Sequence, residues 1–322
     1  MPAALIVGAQ AWASSRSGSD TASTAAADPS AARAGFRPAG EPKPRRVTGL
    51  PVGTKVTIAA TGEFLIHPSI VDHAARHGDE SGRSYDFGAL FEELRRPLAT
   101  SDLSICHLEV PVAPPGSALS GYPVFGIPAE IADGIRDTGW DRCSTASNHS
   151  NDRGTAGIKA TLNALDGRKV GQSGMARNRK EATTSPIVEA NGVPVAHLSY
   201  TWGFNGEPPE EPWMVNVIDR KQILADAREA KRDGAELVVL SLHWGDEYDR
   251  LGNDAQRLLA KRLLSRPEVD LIIGHGPHVL QPIVEYHGKF ALLSVGNLIA
   301  NQGLARADSY DGIVAKVTFT LG

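Results

Sequence analysis

Two histidines stand just after a short apolar run, and they are the residues of this chain best placed to do chemistry. Residues 271–273 read Leu-Ile-Ile, Gly274 follows, and His275 and His278 come soon after it. A continuous apolar run of this length is typical of a buried strand, and ligands of open α/β sheets bind beyond the carboxyl ends of such strands. Because a neutral imidazole binds transition metals and also transfers protons near neutral pH, the pair indicates a metal or acid–base site. Two histidines beside a proline also suit a surface loop, so this interpretation needs support from the rest of the chain.

Polar side chains follow strand-like segments at four further places. These segments are residues 56–62, 103–108, 140–147 and 237–242. The polar residues at or just after their ends are Glu63, His67, Glu109, Asn148, His149 and His243. The carboxyl ends of parallel strands lie at one edge of a sheet, so we expect these side chains to converge.

Helices are predicted between the strands, because apolar residues recur there at helical spacing. The predicted helices are residues 87–98, 128–139, 155–165 and 258–264, with one more around residues 223–227. The dipeptide Asn191-Gly192 between two strand-like segments indicates a hairpin. Residues 201–213 are rich in Gly, Pro, Trp and Glu, and we expect them to form a lid or a substrate wall. Alternating strands and helices predict an α/β layered fold.

Composition excludes some functional classes. The chain has 322 residues, a formal net charge of -4 and a pI near 6.2, so no basic surface indicates a nucleic-acid partner. Cys106 and Cys143 are too few for a disulfide framework. No apolar run approaches the roughly 18 to 20 residues that a membrane-spanning helix needs.

The amino-terminal region differs from the rest of the chain. Residues 1–13 end in Ala-Trp-Ala, which suits the tail of an export signal, although an Ala-rich start without structure explains them equally well. Residues 14–52 are rich in Ala, Ser and Pro and predict a disordered linker, whereas residues 53–322 form the functional domain. We therefore expect an exported protein, extracellular or membrane-associated, or a cytoplasmic one if the start is not a signal.

The collected strand-end residues form a set of metal ligands. Carboxylate and amide oxygens together with imidazole nitrogens suit zinc, manganese or iron, and a bridging carboxylate permits a dinuclear site that hydrolyses a phosphate ester. Each residue alone has a simpler explanation: Glu63 could cap a helix, Asn148 could hold a turn, and His243 could be a hydrogen-bonded core histidine. Their repeated position after strand-like runs favours the site.

An ordered set of motifs from about residue 56 to residue 319 resembles the CapA family, which is associated with poly-γ-glutamate capsule synthesis. The motifs are Gly62-Glu63 with His67, His107-Leu108-Glu109, Ser147-Asn148-His149 with Asp152 and Gly154, Tyr200-Thr201 with Asn205-Gly206, His243-Trp244-Gly245 with Glu247-Tyr248, Gly274-His275 with Pro277-His278, and Ser294-Val295-Gly296-Asn297. Seven motifs in order are far more specific than any one of them.

The resemblance implies a fold and a set of roles. CapA proteins look like a branch of the calcineurin-like metallophosphoesterases, whose four-layer fold is a two-sheet β-sandwich flanked by helices. By resemblance, the metal ligands are Glu63, Glu109, Asn148, His243, His275 and His278, with Glu109 as a bridge. His149 falls at the position of the acid that protonates the leaving group, and Asp152 and Glu63 are further catalytic candidates. Candidate substrate-binding residues are His67, His107, Asn205, Trp244, Glu247 and Asn297.

Two positions depart from the family pattern. Glu63 stands where the family carries Asp, and its extra methylene moves the carboxylate by about one C–C bond length, which alters the ligand geometry of one metal site. His107 stands where the family usually carries Asn, and it either adds a ligand or is simply tolerated.

Three functions remain open from the sequence. The first is a metal-dependent, phosphoesterase-like hydrolase in the synthesis of poly-γ-glutamate or another envelope polymer, with Mn, Zn or Fe as the cofactor. The second is a metal-free peptide epimerase of the lasso-peptide type, in which Glu63 and His275 exchange a Cα proton. The third is a non-catalytic accessory subunit of capsule or envelope assembly. The expected partners are a small-molecule, polymer or peptide substrate and membrane or envelope assembly proteins, with no nucleic acid.

Overall fold

Two β-sheets packed face to face carry the candidate site at one edge. The computed structural model describes the backbone of residues 3–11, and residues 50–321. The first sheet has the order β1-β13-β2-β3-β4-β5, with β12 paired to β2. Its strands are β1 (Ala3–Ala11), β2 (Lys55–Phe64), β3 (Leu103–Leu108), β4 (Arg142–Ser144), β5 (Gly171–Ser173), β12 (Asn297–Ile299) and β13 (Asp311–Thr320).

The second sheet has the order β10-β11-β9-β8-β7-β6. Its strands are β6 (Ile187–Ala190), β7 (Val193–Thr201), β8 (Leu237–His243), β9 (Leu271–His275), β10 (Ile283–Tyr286) and β11 (Lys289–Leu292). Strands β2 to β5 run parallel in the first sheet, and β7, β8 and β9 run parallel in the second. Each sheet therefore presents several carboxyl ends at one edge.

Helices cover the outer face of each sheet. They are α1 (Pro68–Ser81), α2 (Arg95–Leu98), α3 (Ile131–Thr138), α4 (Gly154–Gly167), α5 (Arg179–Thr183), α6 (Arg220–Arg232) and α7 (Asp254–Leu264), with 3₁₀ turns at Gly88–Leu94 and Leu304–Tyr310. In α6, Ile223, Leu224 and Ala227 lie on one buried face, because they recur at the spacing of a helical turn.

Three apolar layers hold these elements together. Ile58 and Ile105 of the first sheet pack against Val239 and Ile273 of the second, which forms the inner layer. The outer faces of the two sheets pack against α3 and against α6 with α7. The expected fold class, a two-sheet sandwich flanked by helices in four layers, is confirmed.

Local structure differs from the sequence predictions in three places. Helix α1 was not predicted, because its buried stripe consists only of Ile70, Ala74 and Gly78, which give a weak apolar period. The predicted strand at residues 140–147 is regular only at β4, and the β10–β11 hairpin was not anticipated. The hairpin at Asn191-Gly192 is confirmed, with φ values of 48° and 77° that match the turn such a pair favours.

The amino-terminal strand β1 pairs antiparallel with β13, from Ala3 opposite Phe319 to Ala11 opposite Asp311. Whether this segment also serves as an export signal stays a prediction. Most of the predicted linker, residues 14–49, lies outside the described residues. Among the described helices, none combines the length and the apolar character that crossing a bilayer requires.

The two cysteines form a disulfide within the first sheet. Cys106 of β3 and Cys143 of β4 are paired across the two parallel strands, with their Cα atoms 4.4 Å apart. Both are fully buried. The disulfide links the two strands that precede Glu109 and Asn148.

Candidate metal centre

The two sheets contribute opposite halves of one buried polar cluster. Glu63 lies near the end of β2 and Glu109 follows β3, whereas His243 and His275 end β8 and β9. His278 follows β9, and one ligand atom from each of Glu63, Glu109 and His278 lies within 4.8 Å of the others. The predicted convergence of strand ends is therefore present, and it occurs across the two sheets.

Two glycines shape the turn that delivers the histidines of the second sheet. A Cβ atom on Gly274 would lie 1.9 Å from the carbonyl oxygen of Leu293, so only glycine fits there. Gly276 has a φ of +109°, and its backbone N–H donates a short hydrogen bond to Oε1 of Glu63. The turn after β9 thus binds the carboxylate of the opposite sheet directly.

Glu63 and His278 form a buried ion pair. Nδ1 of His278 lies 2.5 Å from Oε2 of Glu63 and 3.1 Å from Oδ1 of Asn297. Burial alone would raise the pKa of Glu63, but the charge of His278 and its hydrogen bond outweigh burial and lower the pKa to about 2. Burial lowers the pKa of His278, but Glu63 and Glu109 outweigh it and raise the pKa to about 10. His278 has a φ of +61°, a strained conformation for a residue other than glycine and one that clusters at functional sites.

Several buried polar atoms in this cluster lack a hydrogen-bond partner among the described residues. They are both carboxylate oxygens of Glu109, Oδ1 of Asn148 and both ring nitrogens of His275. Burial and the neighbouring Glu63 raise the pKa of Glu109 well above its usual range, although His278 opposes the shift. Burial lowers the pKa of His275 to about 4, so its imidazole is neutral and free to bind a cation. Unpartnered buried atoms of this kind are rare in proteins, and this donor set fits divalent ions.

A hydrogen-bond chain from the first sheet orients His243. Ser144 Oγ donates to the carbonyl oxygen of Cys106 at 3.2 Å, so it accepts from Nδ1 of His107 at 2.8 Å. Nε2 of His107 is then an acceptor, and it lies 3.0 Å from Nδ1 of His243. His243 therefore carries its proton on Nδ1, and its Nε2 lone pair is free. Burial lowers the pKa of His243 to about 3, which keeps this imidazole neutral.

His107 also supports His275 by direct contact. The two rings stack with their centroids 4.1 Å apart and their planes within 10° of parallel. His107 itself is fully buried. The structure thus places His107 behind two of the predicted metal ligands, where it contacts both.

A second polar group flanks the cluster and is built around His149. Nδ1 of His149 lies 2.7 Å from Oδ2 of Asp152, and the same oxygen accepts a 2.8 Å hydrogen bond from the backbone N–H of Phe125. Nε2 of His149 faces Nδ2 of Asn205 at 3.3 Å, and Asn205 Oδ1 accepts from Asn148 Nδ2 at 3.2 Å. The loop at residues 201–213 therefore reaches the site through Asn205.

Three further predicted substrate-binding residues differ in how they relate to the cluster. His67 is half-buried, packs against Phe125 and acts electrostatically on His278. Glu247 is exposed, and its charge influences both Glu109 and His278. Trp244 instead lies in the hydrophobic core behind the second sheet, where its indole N–H donates to the carbonyl of Leu293 at 2.9 Å.

The structure adds residues that sequence reasoning did not single out. Tyr248 lies beside His278 with ring centroids 5.9 Å apart, Gln302 donates to its hydroxyl at 3.1 Å, and Arg306 stacks on its ring. Phe125 contacts His149 edge to face, with centroids 4.8 Å apart. Tyr248 did fall within one of the motifs, but nothing local in the sequence marks the other three.

Comparisons with known proteins agree with this picture. A family profile described as "Bacterial capsule synthesis protein PGA_cap" matches residues 57–302. The "Capsule biosynthesis protein CapA" of Bacillus anthracis is 33% identical over 183 residues, which are 55% of this chain and 44% of that protein. The "PGA biosynthesis protein CapA" of Bacillus subtilis is 34% identical over 175 residues, 53% of this chain and 46% of that protein. The matched regions thus span slightly less than half the length of these relatives.

Among solved structures, the calcineurin-like phosphoesterase YfkN from Bacillus subtilis aligns with a TM-score of 0.41 at 18% identity, over 74% of this chain and 76% of that one.

Proposed function

The chain belongs to the bacterial capsule synthesis protein PGA_cap family, and from this premise we propose that it is a metal-dependent hydrolase acting on an envelope polymer or its precursor. The CapA resemblance inferred from the motifs is confirmed by the family match. We further propose that the hydrolysis depends on metal, that the substrate is poly-γ-glutamate or a related polymer, and that the protein is exported.

One observation carries the proposal. Five buried oxygen and nitrogen atoms that could bind a metal, on Glu109, Asn148 and His275, have no hydrogen-bond partner among the described residues. They lie beside the Glu63–His278 pair. Leaving such atoms unpaired costs about 1–3 kcal/mol each. A bound cation satisfies the two oxygens of Glu109, Oδ1 of Asn148 and one ring nitrogen of His275 together, whereas a purely structural cluster has no reason to keep them unpaired.

The residues that would hold one or two divalent ions are Glu63, Glu109, Asn148, His243, His275 and His278. When bound, ions of the Mn, Zn or Fe type supply a water of lowered pKa and stabilise charge on the group being transferred. Glu63 and Glu109 enter from the first sheet and the three histidines from the second, so the packing of the sheets sets their positions.

His149 is suited to moving a proton at its Nε2 atom. Oδ2 of Asp152 lies 2.7 Å from Nδ1 of His149. The carboxylate keeps a proton on that nitrogen and balances the charge of the ring when it is an imidazolium. The Phe125 backbone N–H fixes that carboxylate, and Asn205 lies against Nε2. Because Asp152 occupies Nδ1, Nε2 is the atom left to carry a proton to a leaving oxygen, which would take the place of Asn205 Nδ2; this is the role of a general acid.

The test measures metal content before activity. Protein isolated without chelator is analysed for transition metals and then assayed with an aryl phosphate, with and without added Mn²⁺ or Zn²⁺. We expect bound metal and metal-stimulated turnover, both lost in the isosteric variant Glu109→Gln. The matched control is Glu268→Gln, which changes a carboxylate that pairs with Arg228 away from the cluster. Absence of both bound metal and stimulated turnover would contradict the proposal.

Each of the two alternatives has an experiment of its own. A metal-free epimerase that uses Glu63 and His275 would incorporate solvent deuterium at a peptide Cα in the presence of chelator. A non-catalytic subunit would leave the capsule phenotype unchanged when His243 and His275 are both substituted. The unpartnered oxygens of Glu109 and Asn148, for which neither alternative has a use, support metal binding.

A further inference from the structure

The guanidinium of Arg306 lies beside the cluster with its hydrogen-bonding groups unused. Its Cζ atom is 3.9 Å from the centroid of the Tyr248 ring, over which it stacks. Arg306 is exposed, and within residues 50–321 its guanidinium has no hydrogen bond or ion pair. The nearby Arg250 differs, because it pairs with Asp308 at 3.1 Å.

The ring beneath Arg306 is tied to the metal centre. Tyr248 Oη accepts from Gln302 at 3.1 Å, and Gln302 accepts from Asn297 at 3.0 Å. Asn297 in turn lies 3.1 Å from Nδ1 of His278. Through these contacts the position of Arg306 is set relative to a candidate metal ligand, so it does not behave as an ordinary surface arginine.

Stacking leaves the edge of the guanidinium available. The planar group uses one face on the aromatic ring, while its N–H donors point outward in a fork that matches carboxylate or phosphate. Holding the side chain on the ring also reduces the conformational entropy lost when a ligand binds.

We propose that Arg306, mounted on Tyr248, is the residue that recognises an anionic group of the substrate next to the bond that is cleaved. The substrate class is therefore a chain bearing carboxylate or phosphate groups, and this inference rests on the function proposed above. Glu247 is exposed in the segment that carries Tyr248, and its charge acts on the Tyr248 hydroxyl in the direction opposite to that of Arg306.

The experiment measures binding of a fluorescently labelled oligomer of γ-linked glutamate by anisotropy, using the full chain as isolated. We expect Arg306→Gln to weaken binding about tenfold, the loss of one charge-assisted contact. Arg306→Lys should also weaken it, because lysine keeps the charge but lacks the fork. The matched control Arg250→Gln removes a paired charge and should bind as the unmodified protein does, whereas Glu247→Gln should bind more tightly.

Two further probes identify the anion. An oligomer whose free α-carboxylates are converted to amides should bind weakly and lose nothing on Arg306→Gln. Inorganic phosphate that competes with the oligomer only when Arg306 is present would assign the position to phosphate, and competition by free glutamate alone would assign it to carboxylate. Equal binding of the acidic oligomer by Arg306→Gln and the unmodified protein overturns the proposal.

Two combinations of results separate the anion site from the proposed hydrolase activity. Metal-stimulated turnover of an aryl phosphate together with oligomer binding that ignores Arg306 would reject the anion site alone. Arg306-dependent binding without metal or turnover would reject the hydrolase and keep the anion site.

Discussion

Nε2 of His107 lies 3.0 Å from Nδ1 of His243, and this contact joins a residue of the first sheet to a candidate metal ligand of the second. The hydroxyl of Ser144 determines its direction, because the carbonyl of Cys106 takes the hydroxyl proton. His107 therefore accepts from His243 and leaves the far nitrogen of that ring unprotonated. His107, one of the two positions that depart from the family pattern, thus orients a candidate ligand.

Replacing His107 should weaken metal binding without removing a ligand. His107→Phe abolishes the acceptor and should lower metal affinity by about 10–100-fold, the usual cost of losing a partner of a ligating histidine. His107→Gln offers an oxygen acceptor and should retain most of the affinity. Competition against a chromophoric chelator measures both variants, and ¹⁵N NMR of the metal-free protein reports the tautomer of His243. Equal metal affinities of the His107→Phe and His107→Gln variants would show that the contact between His107 and His243 does not affect metal binding.

Removing the charge of Glu63 should destabilise the metal-free protein. Glu63→Gln leaves a buried cationic His278 without its partner, which costs about 3–5 kcal/mol. Urea unfolding in the presence of chelator measures the loss. The control Glu92→Gln breaks an exposed pair with Arg95 and should change stability by less than about 1 kcal/mol. If Glu63→Gln loses no more stability than Glu92→Gln, the ion pair between Glu63 and His278 does not form in solution.

The same pair predicts a pH dependence of stability in chelator. The pKa of Glu63 falls from 4.5 to about 2 on folding, so its contribution is present above 4.5 and is lost as pH falls toward 2. The pKa of His278 rises from 6.5 to about 10, so its contribution is present below 6.5 and is lost as pH rises toward 10. The stability difference between the unmodified protein and His278→Gln should therefore be largest from pH 4.5 to 6.5. A difference that does not vary with pH would rule out the pair as its source.

His243 and His275 act in the opposite sense to His278, because burial lowers their pKa values. Their pKa values fall from 6.5 to about 3 and about 4 on folding, so the unfolded chain binds more protons below pH 6.5. Their neutral state is stabilising above 6.5, and this stability is lost as pH falls toward 4. Acid unfolding of the metal-free protein should become shallower in the double variant His243→Gln, His275→Gln. An unchanged slope would mean that neither ring is buried in its neutral form.

Asp152→Asn should impair cleavage most when the leaving group is poor. The amide no longer balances an imidazolium at His149, so turnover of an alkyl phosphate should fall by about 10²–10⁴-fold. A p-nitrophenyl phosphate needs little protonation and should lose much less. Asn205→Ala, which removes the contact to Nε2 of His149 and the one to Nδ2 of Asn148 but leaves Asp152 in place, should show the same pattern more weakly. A loss independent of the leaving group would assign Asp152 a structural role.

The sequence predicted the strand ends of the site well, because the signals are local. An apolar run followed by a polar residue placed Glu63, Glu109, His243 and His275 on or beside their strands, and the parallel topology brought them together. The two-sheet arrangement was implied by the family resemblance that the ordered motifs carry. The periodicity of strands and helices alone did not distinguish it from a single layered sheet.

The surroundings of the site could not be predicted from the sequence, because they depend on contacts between residues that are far apart along the chain. Phe125 reaches Asp152 through a backbone N–H, which no residue type reveals. Arg306 and Tyr248 meet from separate segments. Trp244 follows a site histidine directly, yet alternation along the strand end turns its ring into the core.

The first candidate ligand is supplied by β2 and the last by the turn after β9, so the centre is complete only when the chain has been made through His278 and both sheets have closed on each other. A partly synthesised chain has no place to keep an ion. The compartment in which folding is completed, and the metals available there, would therefore decide which ion the mature protein carries. For a chain exported before it folds, that choice would be made outside the cytoplasm.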